Sequence, residues 1–121
     1  MRIPRIWADE HGTAHFDEVE EPTELSEYVP GMPTERTRRL RAREVHVAIT
    51  PGGQTMAWHA SPHRHLCITL SGEVEIRVGD GAARRFGPGE MYLGEDRTGQ
   101  GHETAALGDT PWVHAVITLG D

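Results

Sequence analysis

The sequence predicts an all-β fold, a sandwich or a barrel, and three observations predict it. Turn signals recur at short intervals, at Glu10-His-Gly12, Pro51-Gly-Gly53, Ser71-Gly72, Gly79-Asp-Gly81, Gly87-Pro-Gly89, Thr98-Gly-Gln-Gly101 and Gly108-Asp109. The segments between them alternate apolar and polar residues with a period of two, as half-buried strands do. No segment sustains the 3.6-residue period of an amphipathic helix, and no internal repeat or second domain is visible.

Taken in order, Ile3 to Ala8 and Thr13 to Val19 read as a first hairpin around His11-Gly12. Pro22 to Pro33 carries three prolines and several acids and reads as a loop or linker, with room for one helical turn. The basic run from Arg36 to Arg43 reads as a solvated strand face. Val45 to Thr50 and Trp112 to Leu119 alternate and read as half-buried strands. In Glu73-Val-Glu-Ile-Arg-Val78 the β-branched residues share one side and the charges the other, which is the plainest strand in the chain. Residues 1–35 are expected to form an N-terminal hairpin and an acidic, proline-bearing loop packed on a barrel made by residues 36–121.

Composition excludes several roles. The formal charge is −7 across 121 residues, so nucleic acid has no electrostatic partner here. No apolar run is long enough for a membrane helix, and Met-Arg-Ile-Pro-Arg lacks the apolar stretch of a signal peptide. The lone Cys67 precludes a disulfide within the chain and fits a reducing cytoplasm.

The chemistry concentrates in Met56-Ala-Trp-His-Ala-Ser-Pro-His-Arg-His-Leu-Cys-Ile-Thr-Leu-Ser-Gly72, which holds three of the eight histidines, at 59, 63 and 65. A fourth, His102, follows Thr98-Gly-Gln-Gly101. Neutral imidazole is the commonest protein metal ligand, so histidines on neighbouring strands of a small barrel are a candidate metal site. Residues two apart share a strand face: His65, Cys67 and Thr69 would line the barrel, while Leu66, Ile68 and Leu70 would pack in the core. Pro62 is placed to bend the strand or force a bulge.

From Gly53 to about Leu119 the chain resembles a cupin, a double-stranded β-helix or jelly-roll barrel. Cupins carry two motifs, roughly G-x5-H-x-H-x3-4-E-x6-G and G-x5-P-x-G-x2-H-x3-N. Here five residues separate Gly53 from His59, Gly72 closes the strand, Gly87-Pro-Gly-Glu90 resembles the turn of the second motif, and Gly99-x-x-His102 matches its G-x-x-H. The chain is also similar to a subgroup of short bacterial cupins, through Leu70 to Glu75, Arg84 to Gly89 and Glu95 to His102. The resemblance implies a cupin-type barrel with an N-terminal hairpin extension. It also implies a metal set of His59, His65 and His102: His65 stands where the family has glutamate, Ser61 where it has the second histidine, and Ala106 where it has asparagine. A second register uses His63-Arg-His65 as the literal H-x-H, making His63 the alternative ligand.

Two function classes follow. One is an enzyme using a divalent metal (Fe, Mn, Ni or Zn) on a small polar, oxygenated molecule, in a dioxygenase, isomerase, lyase or cyclase type of reaction, with Tyr92 or His114 handling protons. The other is a metal-free barrel that binds or senses a small molecule, or isomerises one. His46 and His114 are placed to face either cavity or water, and His11 and His15 are expected on the surface. Trp58 and Met56 should pack in the core or an interface, Cys67 should be an inert filler, and Arg64 is a candidate guide for an anionic substrate. A homodimer is expected, with the N-terminal strands pairing across a two-fold axis, because a short barrel leaves sheet edges uncovered.

Overall fold

A computed structural model describes residues 1–120 as twelve strands, with no helix among them. In chain order they are β1 (Arg2–Ala8), β2 (Ala14–Glu20), β3 (Thr23–Val29), β4 (Met32–Thr37), β5 (Ala42–Thr50) and β6 (Thr55–His59). These are followed by β7 (His65–Ser71), β8 (Val74–Val78), β9 (Ala83–Phe86), β10 (Met91–Glu95), β11 (His102–Ala106) and β12 (Trp112–Leu119). A six-stranded sheet, ordered β2-β1-β10-β7-β12-β5, faces a four-stranded sheet, ordered β6-β11-β8-β9. The third sheet is the β3–β4 hairpin alone.

The alternation read from the sequence places the core. Val74, Ile76 and Val78 on β8 are fully buried against Cys67, Phe86, Tyr92 and Trp112 between the two sheets. Burying a side chain of this size contributes roughly 1.5–3 kcal/mol. β1 lies between β2 and β10, antiparallel to the first and parallel to the second, and sends Ile6 into this core. Arg5 secures the arrangement: its Nε donates to Asp17 on β2 at 2.8 Å, and its guanidinium reaches Glu95 on β10 at 3.3 Å.

Three expectations are corrected. Pro22 to Pro33 is not a loop with a helical turn but most of the β3–β4 hairpin. Thr23-Glu-Leu-Ser-Glu-Tyr-Val alternates, Pro30-Gly31 supplies the turn, and Pro33 is tolerated because this small sheet has only edge strands. Pro62 bends no strand: it cannot donate to a ladder, so the chain leaves the sheet after His59 and re-enters at His65. The third correction concerns which side of the sheet is apolar. Leu66 joins only a small second cluster with Ile3, Leu93 and Leu119, Leu70 is exposed, and Cys67 and Thr69 occupy the deep interior. On β5, likewise, Val45, Val47 and Ile49 face outward and are exposed.

His15 is more than a surface residue. Its Nε2 lies 2.7 Å from Asp9 Oδ2 and its Nδ1 2.9 Å from Asp80 Oδ2, so it ties the N-terminal hairpin to the β8–β9 turn. The bond to Asp9, and after it the bond to Asp80, raises the imidazole pKa above 6.5, and the same bond to His15 is the main cause holding Asp9 down at about 2. A raised pKa means this stabilisation is complete below the unfolded value and is lost as pH rises through the folded one. Asp9's share is present above 3.8 and is lost as pH falls toward 2. The difference in Tm between the parent and His15→Gln should therefore be widest near pH 5.5 and narrow toward about pH 9. A difference in Tm that does not vary over that range, followed by circular dichroism, would remove the clamp.

Candidate functional site

A cavity of about 360 Å³ opens between the sheets at the end away from Val74 and Phe86, and six of the eight histidines line it: 46, 59, 63, 65, 102 and 114. Tyr92, Cys67, Met56, Thr104 and Trp112 line it too, with Glu44 and Thr118. The structure thus brings together every residue the sequence nominated for ligation or proton handling. No lysine or arginine lines it. Arg64, the candidate guide for an anion, is instead bonded through its Nε to Glu95 and takes no part in the lining.

His59 and His102 are direct partners across the β6–β11 pair, with ring centres 4.6 Å apart. The register slips by one residue here: His102 faces His59 and Thr104 faces Met56, leaving Ala57 and Trp58 as a bulge on β6. The bulge overturns the alternation expected from the sequence. Met56 and His59 now face the same cavity, while Trp58 joins neither apolar cluster. Close approach in this corner depends on Gly101, which has a φ of +78° and whose missing Cβ would sit 1.9 Å from the His59 carbonyl oxygen.

His102 is buried, and its Nδ1 lies 2.6 Å from the carboxylate of Asp96, which is fully buried. The other Asp96 oxygen accepts from Ser61 Oγ at 2.8 Å, and the Ser61 amide donates to the Asp96 carbonyl at 3.0 Å. Ser61, which stands where a cupin has its second histidine, is therefore a brace for the carboxylate. Sequence reasoning missed Asp96 altogether. Its signal was faint: an acid shortly before the Gly99-x-x-His102 motif, with nothing to tell it from the adjacent Glu95.

His65 lies over Gly94 of β10, where a Cβ would come within 2.3 Å of the ring, so this glycine is what makes room for the imidazole. Its Nδ1 faces the His63 carbonyl at 3.0 Å, just as His59 Nδ1 faces the Ala57 carbonyl at 2.7 Å. Burial lowers the His65 pKa, which favours the neutral ring. His59, His65 and His102 share one arrangement: Nδ1 is taken by an oxygen, and Nε2 is the nitrogen left to act as a base or ligand. Among the described residues no three His, Cys, Asp or Glu side chains are gathered closely enough to hold a metal ion as they stand.

Tyr92 and His114 complete the wall. Tyr92 is buried opposite Cys67, its ring edge-on to His65 at 6.0 Å. Burial lifts its phenol pKa well above the ordinary range and lifts the Cys67 thiol to about 11, so both keep their protons, as expected of an inert Cys67. His114 is stacked on Trp112 at 3.4 Å, and Trp112 donates from Nε1 to Thr69 Oγ1 at 3.0 Å. Burial, the largest influence, lowers the His114 pKa, and its Nδ1 has no hydrogen-bond partner.

No protein-family model matches the chain, and no functionally curated protein is similar to it. Its backbone is similar to a cupin domain from Bordetella pertussis Tohama I, with a TM-score of 0.51 at 15% identity over 85% of this chain and 99% of that one. It is equally similar to the cupin domain of Cnp3 from Schizosaccharomyces pombe, with a TM-score of 0.51 at 15% identity over 83% of this chain and 84% of that one. No helix among the described residues is long and apolar enough to cross a membrane. With two facing antiparallel-rich sheets closed around an apolar core and a histidine-lined cavity, the chain has the cupin jelly-roll fold.

Proposed function

We propose that this cupin holds a divalent transition metal through His59, His65 and His102 and acts on a small, neutral, oxygenated molecule in the barrel. The observation that carries the reading is the shared ring arrangement. Metal-ligating histidines characteristically give one ring nitrogen to a carboxylate or backbone carbonyl and present the other, and these three rings do so. The donor chemistry suits Fe, Mn, Ni or Zn, and His63 at the rim is the alternative ligand. When bound, such an ion supplies a Lewis acid to an oxygen of the substrate.

The protein's own groups support the rest. Asp96 holds the His102 ring with Nε2 toward the cavity. The Tyr92 phenol, kept protonated by burial, is a proton donor within the wall, and His114, whose pKa burial lowers, is an acceptor two strands away in the same sheet. A cavity with no cationic side chain and a carboxylate, Glu44, among its lining groups favours a neutral ligand over an anionic one. Its volume suits a single small molecule.

A second reading has its own support, since no three donors stand in one coordination sphere. In that reading the barrel is metal-free: it binds a small molecule, or isomerises one with His102 as the base oriented by Asp96.

Elemental analysis and calorimetric titration with Fe(II), Mn(II), Ni(II) and Zn(II) separate the two. Stoichiometric metal in the parent, and none in the His59→Ala, His102→Ala double variant, is the expected result. A parent that takes up no metal from any of the four leaves the metal-free barrel. Where metal binds, Asp96→Asn should weaken it about 10- to 100-fold, since the carboxylate fixes the His102 tautomer. Unchanged affinity in that variant would separate Asp96 from the ligand set.

A further inference from the structure

We infer that the His15 clamp, which lies outside the cavity, positions His102 inside it, so that the site tightens or loosens with the protonation of a histidine it does not contain. The inference rests on His102 as a working residue of the cavity, which both readings above require. Two lines of contact run from the clamp to His102, one along the chain and one across the sheet. The first starts at Asp9. Its Oδ2 holds His15 Nε2 at 2.7 Å, while its Oδ1 accepts from the amides of His11 and Thr13, at 2.8 and 3.0 Å, and so shapes the β1–β2 turn. That turn backs the loop after β10. A Cβ on Gly99 would sit 2.0 Å from the Gly12 carbonyl oxygen, and the Gln100 amide donates to the same oxygen at 3.4 Å. The loop is short: Asp96, which grips His102 Nδ1, opens it, and His102 follows at its end.

The second line starts at Asp80. Its Oδ2 lies 2.9 Å from His15 Nδ1, and its Oδ1 accepts from the Ala82 amide at 2.8 Å, which fixes the β8–β9 turn. Val78, two residues earlier, is the cross-strand partner of His102. The charged groups facing His15 are Asp9 from the β1–β2 turn and Asp80 from the β8–β9 turn. Trp7, its partner on β1, lies beside it uncharged with ring centres 5.0 Å apart, and Glu10 and His11 pair with each other in solvent at 3.5 Å. Imidazole chemistry makes the clamp a switch. Imidazolium has two N–H donors and satisfies both carboxylates, which only accept. Neutral imidazole has one, so above the titration one of the two aspartates faces a bare lone pair and one line of contact goes slack. The bonds to Asp9 and then Asp80 raise the imidazole pKa, so the closed clamp persists above pH 6.5 and opens as pH rises further.

Nuclear magnetic resonance of the metal-free, nitrogen-15-labelled protein between about pH 5.5 and about pH 9 tests this without calling on metal binding. The His15 ring should titrate, and the Gln100 amide and the His102 ring should show an inflection at the same pH. Above it, the Gln100 and His102 amides should exchange with solvent at least about 10-fold faster than the ordinary base-catalysed rise allows. In His15→Gln both the shared inflection and the extra exchange should be lost. Asp80→Asn keeps the imidazole but removes one anion, so it should move the inflection to lower pH for His15, Gln100 and His102 together. Gln100 and His102 signals that ignore the His15 titration, or that keep its inflection in His15→Gln, would overturn the inference. If His15→Gln does not fold, the joint shift in Asp80→Asn decides alone. A protein that takes up no metal would remove the ligand reading and leave this coupling standing.

Discussion

The buried carboxylate of Asp96 is the contact on which the site depends. It lies on the loop after β10 and reaches both neighbouring pieces of the cavity wall, taking Ser61 from the loop before β7 and His102 from the start of β11. A buried carboxylate is costly to desolvate, and two short hydrogen bonds are what make this one tolerable. Its neighbour Glu95 points the other way and gathers Arg5 and Arg64. Two adjacent acids therefore divide the work: one holds the outer frame, where β1 meets β10, and the other fixes a ring inside. Remove Asp96, and His102 keeps its strand position but loses what orients it.

The strands were legible because alternation and glycine turns are local signals. β8 reads from six residues, and the structure buries the same three side chains the pattern picks out. The histidines were legible as a group because they are rare, bunched and led by Gly53 and Gly99. What failed depended on contacts distant in sequence. The bulge at Ala57 and Trp58 exists because β6 must match β11, and nothing within Thr55–His59 announces it. The outward turn of Val45, Val47 and Ile49 is invisible to alternation, which fixes which residues share a face but not which face is inside. Asp96 was unreadable because its importance comes from being buried, and charge alone predicts exposure.

That inversion has a single physical origin. At one end of the barrel both sheets send apolar side chains inward and close an apolar core around Ile6, Val74 and Ile76. At the other end strands of both sheets line the histidine cavity. β5 and β12 turn His46, His114 and Thr118 inward, with Val116 among them, and leave Val45, Val47 and Ile49 outside. A strand of period two cannot be apolar on one face along its whole length while serving both ends, so the polar wall inside and the apolar skin outside are two results of one constraint.

The parallel pairing of β1 with β10 also shapes how the molecule is assembled. Arg5 sits beside Leu93 and Trp7 beside Glu95, so β1 can find its place only after a strand made nearly ninety residues later is available. Pairings of such long sequence separation are slow to form, since the loop must close before contacts stabilise it. Through most of synthesis on the ribosome, Ile3 and Ile6 thus have only β2 for company. That places them, with the unfinished sheet edge awaiting them, among the segments most open to chaperone capture or misassociation in the newborn chain.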